Sequence, residues 1–137
     1  MGDRKTQVKK LFVMALLGVV SLVANLGVST VLADVSRDRG EALVRTHCTR
    51  CHVVPGMNPF GGIGSTPSFA AMKWLVDWRR RFEIFYSLPP HPAVVRIDGV
   101  TPPRDQALPA FSHEITITLE QLDDILAYVD TIKAPAP

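Results

Sequence analysis

Hydrophobic positions recur along this chain in runs of different character. Residues 11–33, LFVMALLGVVSLVANLGVSTVLA, carry no charge and follow a basic opening, MGDRKTQVKK. The next stretch, DVSRDRGEALVRTH, sets Ala42, Leu43 and Val44 among charges, with Ser36 placed to cap. No β-branched run precedes it, so it predicts a helix and not a strand. Phe69, Met72, Leu75, Val76 and Phe82 then recur at helical intervals, predicting one helix from about Ser68 to Tyr86. The segment SLPPHPAVVRIDGVTPPRDQALP is rich in proline and has no clear period. It is expected to be a long ordered loop, and such loops usually cover something. The closing helix is marked more sharply. Thr118 and Gln121 form a capping-box pair, and Ile117 can staple onto Leu122. Leu119, Leu122, Ile125, Leu126 and Val129 follow as one apolar stripe, expected to face the core.

Charge alters the picture only once the opening is set aside. The 137-residue chain has 15 basic and 13 acidic side chains, a formal +2. Arg4, Lys5, Lys9, Lys10 and Asp3 all lie in the first ten residues, so residues 34–137 keep 11 basic and 12 acidic side chains, about −1. No basic stripe survives, which argues against a nucleic-acid partner. A basic head, an apolar run and Val31-Leu32-Ala33 before Asp34 fit an export signal, residues 1–33, cut after Ala33. The alternative is an uncleaved membrane anchor, since the uncharged run is long enough to span a bilayer of about 30 Å. Asn25, Gly27, Ser29 and Thr30 weaken its second half as a lipid-facing helix and favour cleavage. Both readings put the domain at 34–137 outside the cytoplasm. With 11 prolines and 7% aromatic residues, the chain has difficulty filling a core with side chains alone. A large apolar cofactor would repair this.

Both cysteines lie in THCTRCHVVPG, as Cys48 and Cys51 directly before His52. A structural disulfide between them would close so short a loop that it contributes little. A redox-cycling dithiol needs a strand before the motif and a βαβ frame, where this chain has a helix. A zinc site needs further ligands at metal-binding spacing, and His91 and His113 lie far off and apart from each other. What remains is Cys-x-x-Cys-His, the c-type haem attachment signature. Two thiols at this spacing add across the two vinyl groups, and the adjoining His52 then lies under the iron as proximal ligand.

The stretch RGEALVRTHCTRCH resembles the opening of a class I, monohaem bacterial cytochrome c. The end, LPAFSHEITITLEQLDDILAYVDTIK, is similar to that family's closing segment, a Met-Pro-x-Phe loop followed by the last helix. The resemblance covers both ends of the domain and little of its middle. It implies an all-α cytochrome c fold, about three helices around one covalent haem c, with a long Pro-rich loop. It also implies that Gly40 on the first helix crosses Tyr128 on the last, and that a proline carbonyl after the motif accepts from the free nitrogen of His52, Pro67 matching best, with Pro55 and Pro59 also nearby. The function it implies is single-electron transfer between a dehydrogenase and an acceptor such as an oxidase or another cytochrome, not catalysis. Redox proteins are then the partners, with a membrane involved only if the N-terminal segment is uncleaved.

One position departs from the family. Leu108 stands where the distal axial methionine is expected, and leucine cannot bind iron. His113, His91 and Met72 are the substitutes considered, with Met57 too close to the motif to reach the distal side. An open sixth site stays as the alternative: a haem protein taking NO, CO or peroxide. Arg79, Arg80 and Arg81 are either a solvated helix edge or partners for a haem propionate or an acidic redox protein.

Overall fold

The computed structural model describes residues 30–103, 105, 107 and 113–135. It divides into two units, Met1–Val35 and Ser36–Pro137. Of the first, residues 30–35 are described and are helical and exposed. Among the described residues no helix is long and apolar enough to cross a membrane. Residues 11–29 of the uncharged run lie outside them.

In the second unit helix α1 covers residues 36–47. Gly40 and Val44, one turn apart, are its buried positions, and an ion pair between Glu41 and Arg45 at 2.7 Å links successive turns on its outer side. The last helix, α4, spans Leu119–Thr131. Its start is fixed as the sequence implies. Gln121 N donates to Thr118 Oγ at 3.1 Å and Thr118 N donates back to Gln121 Oε1 at 2.9 Å. Leu122, Ile125, Leu126 and Val129 are buried, each such side chain contributing about 1.5–3 kcal/mol. Leu119 is not part of the buried stripe, being 52% exposed, whereas Asp124 and Tyr128 are buried beside it.

The two helices cross at Gly40. A Cβ there would lie 1.9 Å from the carbonyl oxygen of Asp124 and 3.0 Å from Cβ of Tyr128, so only glycine allows this approach. The crossing is tied by a buried carboxylate. Asp124 accepts from Ser36 Oγ at 2.6 Å, Arg39 Nε at 2.7 Å and Arg39 Nη2 at 2.8 Å. The Arg39 hydrogen bonds hold the Asp124 carboxyl below its usual value, against burial, which pushes the other way.

The middle of the chain differs from the single helix expected over 68–86. Helix α2 is Phe69–Met72, capped by Ser68, whose Oγ accepts from Ala71 N at 3.1 Å. Helix α3 is Trp78–Glu83, and 3₁₀ turns follow at Phe85–Ser87 and His91–Ala93. The reason is geometric. Phe69 and Phe82 are thirteen residues apart, which places them about 140° apart around one continuous helix. Both are buried, with ring centres 5.1 Å apart in an edge contact, so the chain breaks between them and turns Phe82 inward. Leu75 and Val76 are exposed at the break. Lys73 Nζ, 3.2 Å from the centre of the Trp78 ring and 3.3 Å from Val129 O, ties it to α4.

The Pro-rich stretch contains a strand. β1, Val95–Ile97, pairs in parallel with β2, Ile115–Ile117, in the register Val95 to Ile115 and Ile97 to Ile117. Ile97 and Ile117 point into the same core as α4. The domain is thus helical with one short ladder, where an all-α arrangement was expected.

Candidate functional site

Helix α1 delivers the cysteine motif at its C-terminal end. Cys48 N still donates to Val44 O at 2.9 Å, and the chain then tightens, with Cys51 N and His52 N both donating to Cys48 O at 3.1 and 2.9 Å. Cys48 is half-buried against the core and Cys51 is exposed; both are free thiols. Burial, with a smaller contribution from Cys51, pushes the Cys48 thiol up to about 12.

Asn58 organises the loop after the motif. Its Nδ2 donates to Thr49 O at 2.9 Å and His52 O at 3.0 Å, and its Oδ1 accepts from Val54 N at 2.8 Å. One amide thus closes the motif on both sides. Sequence reasoning did not single it out, because its partners are backbone groups and leave no pattern of side chains. The glycine run before Pro67 then passes back under the motif. Gly62 has φ +80°, and a Cβ there would meet Cys51 O and Val53 N at 3.0 Å, while Ile63 N donates to Cys51 O at 2.9 Å.

His52 is oriented from one side by Pro67, as the sequence suggested. Its Nδ1 lies 2.8 Å from Pro67 O. A carbonyl only accepts, so Nδ1 carries the proton and Nε2 keeps its lone pair for a metal. The ring packs edge-on against Phe69 with centres 5.3 Å apart.

The other ring beside His52 is His91. The two imidazole planes are parallel within 4° and their centres lie 5.9 Å apart. His91 Nδ1 is 3.0 Å from Leu88 O, which by the same logic leaves its Nε2 free of the proton. Phe85 packs against it in a T-shaped contact, ring centres 5.2 Å apart. Burial lowers the His91 pKa, the Leu88 bond opposing and His52 adding to the effect, so the neutral ring is favoured.

Met72 and Met57 are partly buried and pack against the apolar core. His113 is exposed just before β2. Leu108 lies outside the described residues. The three arginines pair within the chain: Arg79 with Asp130 at 2.8 Å, Arg81 with Asp77 at 2.9 Å, and Arg80 with Glu83 at 3.8 Å. Among the described residues no group of three or more His, Cys, Asp or Glu side chains could hold a metal ion by itself. Two thiols and one oriented imidazole instead suit a cofactor that brings most of its own ligands. No family model matches the chain, nor does any curated protein or solved structure.

Proposed function

We propose that this protein is an exported, periplasmic monohaem c-type cytochrome that passes single electrons between a dehydrogenase and an acceptor protein. The observation that carries the reading is the Cys48, Cys51, His52 motif at the end of α1 with His52 Nδ1 bonded to Pro67 O at 2.8 Å. That bond fixes the ring in the tautomer a proximal iron ligand needs. Haem c supplies a one-electron couple when bound; the chain supplies attachment, orientation and shielding. Cys48 and Cys51 would hold the group covalently, each S–H adding across one vinyl group with its hydrogen going to the neighbouring carbon, a redox-neutral addition. His52 Nε2 would hold the iron.

The competing uses of the motif fare worse on the same residues. A redox-cycling dithiol works through a depressed thiol pKa, whereas Cys48 is pushed up to about 12. A haem with an open site, binding a small molecule, is the second reading, favoured by Leu108 in place of the distal methionine. His91 beside His52 argues against it.

The test is covalent haem. The full chain, made in a host that attaches haem to c-type proteins, should carry a haem that survives a denaturing gel, and replacing Cys48 and Cys51 by Ala should abolish it. No covalent haem on the wild type, or haem retained in the double variant, rejects the assignment.

A further inference from the structure

We propose that His91 is the second axial ligand of the iron, opposite His52, so that the iron is held by two imidazoles. The inference rests on the attachment reading above and goes beyond it.

Geometry supports it first. One metal ion between two imidazole nitrogens, each bonded at about 2 Å, puts the ring centres about 6 Å apart when about 1 Å from nitrogen to centre is added on each side. The observed separation of His52 and His91 is 5.9 Å, with planes parallel within 4°. The two rings are also prepared alike. Each has Nδ1 held by a backbone carbonyl, Pro67 O for His52 and Leu88 O for His91, and each keeps Nε2 for the metal. Each is braced by the edge contact of a phenylalanine, Phe69 and Phe85.

The chain around His91 is stiff enough to hold a ligand. Pro89, Pro90 and Pro92 surround it, the 3₁₀ turn His91–Ala93 fixes its backbone, and β1 follows directly. Little further ordering is then needed when the bond forms. Of the other sulfur and nitrogen candidates, Met57 and Met72 are partly buried and pack against the apolar core, and His113 is exposed just before β2.

Ligation by two imidazoles has a functional consequence. It closes the iron to exogenous molecules, and it forgoes the rise in potential that an axial methionine brings. The protein is then an outer-sphere carrier working at lower potential than a His/Met cytochrome of the same architecture.

The experiment uses the full-length holoprotein. Haem retained on a denaturing gel is scored first, since its absence rejects attachment itself and not the second ligand. Ferric and ferrous spectra are then recorded with and without CO. The wild type should be low-spin in both states, should show no CO shift of the Soret band, and should lack the iron–thioether charge-transfer band. His91→Ala should keep covalent haem, become high-spin ferric and bind CO, and added imidazole should restore the low-spin spectrum. A His91→Ala protein that stays low-spin and inert to CO, a wild type that binds CO, or a thioether band in the wild type overturns the proposal. Should His91→Ala fail to accumulate, the near-infrared charge-transfer band of the wild type decides alone, because bis-imidazole and imidazole–thioether iron absorb at different energies.

Discussion

Replacing Gly40 by Ala tests the helix crossing on which the site is mounted. The added Cβ would sit 1.9 Å from Asp124 O, and ordinary contact begins at 3.4 Å, so the backbone of α4 must retreat by about 1.5 Å. The obstacle is a carbonyl within a helix and cannot rotate away. A retreat of that size opens the packing between Val44 and the buried face of α4, and a gap of about 1 Å already forfeits up to half of a dispersion contact. It also stretches the bonds from Ser36 and Arg39 to Asp124. Overpacking costs about 1–3 kcal/mol where neighbours can adjust, and here the upper end or more is expected. Alanine returns about 1 kcal/mol through helix propensity, leaving a net loss of about 2 kcal/mol or more. Urea unfolding of the holoprotein by circular dichroism measures this, with Ala42→Gly on the exposed side of α1 as control. The control loses only the propensity difference, about 1 kcal/mol. If Gly40→Ala is as stable as the wild type, α1 and α4 do not meet at this position and the placement of the motif must be redrawn.

Other substitutions probe the remaining supports. Asn58→Ala removes the amide that joins Thr49 O, His52 O and Val54 N and should cost about 1–3 kcal/mol. Asn58→Asp, which sets a carboxylate against two carbonyls, should lower the yield of covalent haem further, as judged by gel stain per mole of polypeptide. Thr118→Ala breaks the capping box and should cost about 1 kcal/mol of unfolding free energy, read from urea unfolding. Asp124 gives a pH dependence. Its carboxyl is held below the ordinary 3.8, so its contribution is complete above that value and is lost as pH falls through the folded-state pKa. Asp124→Asn should therefore be less stable than the wild type at pH 7, with the gap between their urea midpoints narrowing below about pH 4. A gap that is constant with pH would refute the ionised pairing with Arg39.

The parts of this fold that were legible in the sequence are those decided by neighbours along the chain. The Thr118–Gln121 box and the buried residues from Leu122 to Val129 are local patterns, and so is the helix that runs into Cys48. The glycine at position 40 and the Pro67 carbonyl were placed through family resemblance, and both make the expected contacts. The break between α2 and α3 was hidden because each half has a helical period; only the need to bury both Phe69 and Phe82 reveals the turn between them. β1 and β2 were hidden because each is three residues long and its partner is far away in sequence. His91 looked like a turn histidine among prolines. Its alignment with His52 is a tertiary fact that no local pattern along the chain could reveal.

The β1–β2 ladder also makes the chain tolerant of change at one place. Parallel strands can be joined only by a connection of about a dozen residues or more, so the segment 98–114 has a minimum length. It has no comparable maximum, since each doubling of a loop costs only about 0.6 kcal/mol. The ladder holds both ends of the segment at fixed points whatever lies between them. Pro102 and Pro103, both exposed, therefore mark a port for splicing in a reporter peptide or a tether to an electrode, leaving Cys48, His52 and His91 untouched.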